Sequence, residues 1–263
     1  MGSTVAVDID AHVANVTLNR PDKMNAVNLE MFAELGEIGD RIAADSSVRV
    51  VVLSGAGENF CAGIDTSIFG AEGPSIDGSA MAPQTPSPAN LFQRAAYVWR
   101  ELPIPVICSI HGVAFGAGLQ ISLGADIRYA SPDSKFSVME AKWGIIPDMA
   151  ISTTARNVVP LDRIKELAYT ARVIGASDAM RMGLITQVHD NPLVAARAAG
   201  KEISLKSPSA VRAMKALFDT GWSAPEAESL ALEARLQSGL LGGENQREAV
   251  RANMENRAPN FVD

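Results

Sequence analysis

The chain of 263 residues is poor in the groups that most often announce a site, with two cysteines, three histidines and 5% aromatic residues. Cys61 and Cys108 stand far apart without CxxC spacing, which excludes a disulfide framework and a thiolate zinc site and fits a reducing cytosol. His12, His111 and His189 lack ligand spacing, so no metal is expected. Positive charge is short as well: 23 Lys and Arg face 30 Asp and Glu, and the net charge of −7 argues against a nucleic-acid groove or an anionic membrane surface. No charged segment followed by an apolar one opens the chain, so a secretory signal is not expected and the expected location is cytoplasmic. The apolar run Val106 to Ala125 holds His111, Gln120 and four glycines and meets Asp126 and Arg128 at its end. It reads as a buried strand, turn and helix rather than a membrane span.

What is present is ordinary for a folded domain: 47% hydrophobic and 20% charged residues, in a length that suits one large α/β domain or such a domain with a helical appendage. Val5–Asp8 and Val13–Leu18 alternate around Asp10-Ala11 and predict a β-hairpin. Asn28 is placed to cap a helix carrying Phe32, Leu35, Ile38 and Ile42 on one face. A strand over 49–54, a helix near 90–101 and a strand over 106–110 follow. Shorter strands are expected at Asp126–Ala130, Lys135–Val138 and Leu184–Val188. Residues 66–89, rich in Gly, Pro and Ser, read as a long loop of the functional-lid kind. Gly175–Asp178 leads into a helix that Gly183 ends, and from Asn191 onward only helices are expected, broken at Ser207-Pro208 and Ser223-Ala224-Pro225.

Two turns carry the chemistry. Phe60-Cys61-Ala62-Gly63-Ile64-Asp65 follows the run Val50–Leu53, and His111-Gly112-Val113-Ala114-Phe115-Gly116-Ala117-Gly118-Leu119-Gln120 follows Val106–Ile110. Two glycine turns after buried strands can aim two backbone N–H groups at one point, the arrangement that stabilises charge growing on a carbonyl oxygen. An enzyme acting next to a carbonyl is the reading. Gly116-Ala117-Gly118 lacks the third glycine of a dinucleotide fingerprint, Ile121 standing there, so NAD is not expected. Cys61 beside the turn has no histidine near it in sequence and reads as packing.

These segments, taken with Arg20-Pro21-Asp22-Lys23-Met24-Asn25-Ala26, Ala125–Ala130, Ile145-Ile146-Pro147-Asp148 and Ala258-Pro259-Asn260-Phe261, resemble the enoyl-CoA hydratase/isomerase (crotonase) family in order and spacing over nearly the whole chain. The resemblance implies an α/β fold, a crotonase-like spiral of ββα repeats over 1–190 that holds an acyl-CoA site. It also implies a C-terminal helical region over 191–263 used for trimerisation, with trimers often paired into hexamers. The substrate it implies is an acyl-CoA thioester, with CoA part of the substrate and no separate cofactor. The oxyanion donors it implies are the N–H groups of Ala62 and Ala117. Arg20, Lys23, Asn25, Ala26, Ala62, Ile64 and Asp65 would follow the nucleotide and pantetheine, and Phe261 would pack near CoA from a neighbouring subunit. Val262 stands where some relatives have lysine.

Hydratases of the family use two glutamates to hold water and move protons. Glu140 matches one; the other position is Gln120. An amide cannot take a proton near neutral pH, so Gln120 can orient a group but cannot act as a base. Asp148, eight residues after Glu140, lies where dienoyl-CoA isomerases carry a proton-shuttling aspartate, although those enzymes also have an acid at the place of Gln120. Asp148 after Pro147 equally suits a helix N-cap, Glu140 a helix start, and Gln120 a buried structural amide. The retained residues favour double-bond isomerisation. Hydration is the alternative, a thioester hydrolase or dehalogenase a more distant one, and a protein that binds acyl-CoA without turnover belongs to a different class altogether.

Overall fold

The computed structural model describes residues 2–69 and 78–263. The hairpin forms as expected: β1 (Val5–Asp10) and β2 (Val13–Leu18) pair antiparallel. Ala11 and His12 turn the chain with φ of 44° and 72°. Asn28 caps α1 (Leu29–Ala44) by accepting from Met31 N–H, and the apolar face of α1 is buried. Next come β3 (Val50–Gly55), the 3₁₀ turns Thr66–Phe69 and Gly78–Met81, and α2 (Leu91–Glu101), which Asn90 and Gln93 open with a reciprocal capping box. The expected loop over 66–89 thus contains two short turns, and its part over 70–77 lies outside the described residues.

The apolar run over 106–125 splits into β4 (Val106–Ile110), β5 (Val113–Phe115) and α3 (Ala117–Leu123). Among the described residues no helix is long and apolar enough to cross a membrane. β6 (Ile127–Ala130) and β7 (Lys135–Ser137) follow, then the 3₁₀ turn Glu140–Trp143, α4 (Ile151–Thr154), α5 (Leu161–Thr170), β8 (Ile174–Gly175), α6 (Ala176–Met182) and β9 (Gln187–Val188). The strand expected from Leu184 starts only at Gln187. Gly183, at φ 85°, reverses the end of α6, and Leu184 N–H closes it on the Ala179 carbonyl instead of pairing with a strand. From Asn191 the chain is helical: α7 (Pro192–Ser204), α8 (Pro208–Gly221), α9 (Glu226–Leu240) and α10 (Glu244–Met254).

Six strands form one sheet in the order β1-β2-β3-β4-β6-β9, parallel from β2 onward, and β5-β7-β8 form a second. The central strands are buried on both faces, which explains their unbroken Val/Ile/Leu sequence. Side chains alternate between the faces. Val51, Leu53, Cys108 and Ile110 enter the main core with α1, α2 and α3, while Val50, Val52 and Ile107 meet Ala196 of α7. The C-terminal tail is tied back to its own chain. Arg49 donates to the Asp263 carboxylate at 2.6 Å and to the carbonyls of Ser204 and Phe261, and Asn245 exchanges two hydrogen bonds with the Val262 backbone.

Candidate active site

The two glycine turns are joined by a short parallel bridge, Cys61 to Ala114, and a second bridge, Val27 to Ile64, ties the first turn to the 20–27 loop. Bridge pairing uses alternate residues, and it consumes nearly every N–H of the first turn. Phe60 donates to His111, Cys61 to Val113, Ala62 to Met24 at 2.9 Å and Asp65 to Val27, while Gly63 N–H points to the Cys61 sulfur. The N–H left without a protein partner among the described residues is that of Ile64. Ala62 therefore lines the cavity but is not the donor that the sequence implied; its N–H is spent holding the 20–27 loop. Gly63 makes the turn possible, since its φ is 107° and a Cβ there would stand 3.0 Å from the Phe115 carbonyl and 4.0 Å from Ala117 N.

Ala117, the other donor the sequence implied, is the first residue of α3. Gly116, at φ 48° and ψ −116°, swings the chain into α3, leaving the first N–H of that helix with no carbonyl behind it. Ile64, Gly116 and Ala117 line a cavity of ≈ 500 Å³ that also takes in Ala62, Gln120, Glu140 and Asp148.

Glu140 opens the 3₁₀ turn after β7 and is 6% exposed, so it is a helix start but not a surface carboxylate. Gln120 Nε2 donates to its Oε1 at 2.5 Å, and Gln120 Oε1 accepts from Met149 N–H at 2.8 Å. Glu140 Oε2 is buried without a hydrogen-bond partner. Burial raises the Glu140 pKa, the Gln120 hydrogen bond opposes that rise, and the nearby Asp148 charge adds to it. A carboxylate tuned upward, held by one oxygen and free at the other, has the properties of a general base. Asp148 lies on the exposed rim, with its own pKa raised by partial desolvation. It caps no helix: the N-cap of α4 is Ala150, at φ 64°, and no side chain caps there.

The residues expected along CoA are brought less directly to the site. Asn25 is fully buried at φ 54°; its Nδ2 donates to the Ala56 and Asn59 carbonyls and its Oδ1 accepts from Arg20 N–H. Its side chain has nothing left for a ligand, and its role is to lock the loop. Arg20 donates to the Ala26 carbonyl and pairs with Asp65 at 2.9 Å. Asp65 also accepts from Ser67, and these hydrogen bonds, with Arg20, lower its pKa. Lys23 is exposed. Arg20, Lys23, Ala26 and Asp65 sit beside the Val27–Ile64 bridge but do not line the cavity, and Phe261 lies against Arg49 away from it. Cys61 is fully buried, which pushes its thiol up to about 12, as expected of a packing residue.

The sequence reading missed the apolar wall: Phe32 and Phe92, packed edge to face at 5.0 Å, and Met81, Met139, Trp143, Ile145 and Ile146. Trp-Gly-Ile-Ile, an apolar run in a segment with no regular period, was the available signal. A second cavity of ≈ 470 Å³ lies between the end of α3 and α8. Of its charges, Lys215 pairs with Asp126 at 2.7 Å and Arg100 with Asp219 at 3.6 Å, Arg128 donates to the Leu184 and Ala125 carbonyls, and Lys206 pairs with Glu202 outside the cavity. Among the described residues no cluster of His, Cys, Asp and Glu could hold a metal ion.

A sequence model of enoyl-CoA hydratase/isomerase matches residues 8–263. The chain is 31% identical to the (E)-benzylidenesuccinyl-CoA hydratase of Thauera aromatica, over 98% of each chain. It is 32% identical to the peroxisomal Delta(3,5)-Delta(2,4)-dienoyl-CoA isomerase of Arabidopsis thaliana, over 96% of this chain and 94% of the other. A putative enoyl-CoA hydratase of Streptomyces coelicolor A3(2) superposes with a TM-score of 0.88 at 31% identity, covering 98% of this chain and 94% of that one. With an orphan N–H on each glycine turn and a buried carboxylate lining the same cavity, and with a family model and relatives that span nearly the whole length, the chain belongs to the enoyl-CoA hydratase/isomerase family.

Proposed function

We propose that the protein shifts a double bond in an enoyl-CoA thioester, with Glu140 as the base. The observation that carries this reading is the Glu140–Gln120 pair: one buried carboxylate, fixed through Oε1 by an amide that cannot itself exchange protons, with Oε2 turned free. Oε2 takes a proton from C2 of a 3-enoyl thioester. The C–H electrons form a dienolate whose oxygen is held by the N–H groups of Ile64 and Ala117, each such donor lowering the barrier by about 3 kcal/mol. The carboxyl then returns the proton at C4, and the C3–C4 double bond becomes C2–C3. Asp148, on the rim of the same cavity, is the second shuttle. No cofactor beyond the CoA of the thioester is called for. The exposed Met214, Phe218 and Trp222 on and after α8 support self-association of the helical region, as a trimer or a pair of trimers.

Hydration is the second reading. Asp148 favours it, because its charge acts on Glu140 and the two carboxylates open on one cavity where a water could be held. Proton NMR in D₂O with a 3-enoyl-CoA separates the two. Deuterium at C2 and C4 with a migrated double bond is expected. Accumulation of 3-hydroxyacyl-CoA would replace isomerisation by hydration, and binding with no exchange would leave a non-catalytic acyl-CoA binder.

A further inference from the structure

The wall of the active-site cavity is largely apolar, and the charged side chains on it have one sign. Glu140 and Asp148 are the charged side chains lining it, and no Lys or Arg does so among the described residues. The nearest positive group on the adjoining turn, Lys142, stands 5.6 Å from the centre of the Trp143 ring and is not a cavity residue. Between the two carboxylates the chain presents Trp143, Ile145 and Ile146, which are 49%, 42% and 74% exposed, with Met81, 51% exposed, also at the cavity. Four large apolar side chains exposed around the mouth of one cavity form surface that awaits an apolar occupant.

We infer that the acyl group accepted here is uncharged and apolar, and long or bulky enough to leave the cavity and lie along the lip of Trp143, Ile145, Ile146 and Met81. This rests on the reading of the cavity as an acyl-CoA site, but it does not need the double bond to move. An acyl group whose carboxylate ends within the cavity meets two like charges and no counter-charge on its wall, whereas each methylene laid on the lip removes apolar surface from water and strengthens binding about two- to fourfold.

The test is calorimetric binding of saturated acyl-CoAs, which cannot isomerise, to the full chain in its native oligomer. Butanoyl, hexanoyl, octanoyl and dodecanoyl-CoA are compared with adipoyl-CoA. The expected result is at least a tenfold gain from butanoyl to octanoyl, a further gain to dodecanoyl, and adipoyl at least tenfold weaker than hexanoyl. In Trp143→Ala/Ile146→Ser the gain from octanoyl to dodecanoyl is lost. A flat series, adipoyl bound as well as hexanoyl, or a series unchanged in the double variant each overturns the inference. If the D₂O experiment shows no isomerisation while the series rises as stated, the isomerase reading has failed and the substrate class stands.

Discussion

Gln120 is where the chemistry of this chain departs most from a two-carboxylate site, and its replacement gives the sharpest test of the geometry. Gln120→Met keeps the length of the side chain and removes both hydrogen bonds: the 2.5 Å donation to Glu140 and the 2.8 Å acceptance from Met149. A hydrogen bond to a charged group contributes about 1.5–3 kcal/mol, and it favours the ionised form of Glu140. Its loss adds to the upward push that burial already exerts, so the acid limb of kcat/KM moves to higher pH. At 1.36 kcal/mol per pH unit the displacement is about one to two units. Activity then falls about ten- to a hundredfold on the acid side and recovers toward the wild-type value above the new midpoint. The assay is the initial rate of double-bond migration from pH 5 to 9 at substrate well below KM. A variant with reduced kcat/KM at every pH and an unmoved limb would refute the argument, because it would show that Gln120 only fills space. Gln120→Glu extends the test. Two carboxyl groups at this separation share one proton, so the limb becomes that of a coupled pair, and 3-hydroxyacyl-CoA is expected among the products.

Glu140→Gln is expected to lose about 10³-fold in kcat while gaining thermal stability above neutral pH. The raised carboxyl of the folded protein binds its proton more tightly than the unfolded chain does, so its contribution is fully present below the unfolded value near 4.5 and is lost as pH rises through the folded one. A melting series in which wild type and variant stay parallel from pH 5 to 9 would contradict this. Replacing the Ile64 N–H with an ester oxygen, by incorporating the corresponding α-hydroxy acid, should cost about 10²-fold in kcat/KM with little loss of stability. The same exchange at Ala62 should lower the melting temperature instead, and the opposite pattern would restore Ala62 as the donor. Asn25→Ala strands the Ala56 and Asn59 carbonyls and Arg20 N–H, and should cost about 3 kcal/mol of unfolding free energy in urea, with the KM of the folded fraction unchanged. Native Cys61, with its thiol pushed up to about 12, should resist iodoacetamide at pH 8 and react at once in denaturant.

The fold was legible where burial and local chemistry agree. The strands over 50–55 and 106–110 are continuous apolar runs because both their faces are covered, and the caps at Asn28 and Asn90 stand directly before periodic helices. The short strand at Gln187 was over-read as starting at Leu184, because Leu184 and Ile185 are buried by packing rather than by pairing. The site was legible to the level of the residue but not of the atom. Glu140, Gln120 and Ala117, which line one cavity, were legible because a side chain or a helix start is fixed by one local element. The partner of Ala117 was not, because which N–H of Cys61–Asp65 is left over depends on two parallel bridges to Ala114 and Val27, contacts some fifty and thirty-five residues away in sequence. Alternate pairing passes over one residue of each bridge, and a slip of two positions leaves the same face toward the cavity while changing which donor is spent. Asn25 shows the same limit from the other side: an amide in a ligand-like position in sequence is used up by the Ala56 and Asn59 carbonyls of a neighbouring loop. A reading that knows the strands but not their register can name the wall of such a site and still assign the wrong hydrogen on it.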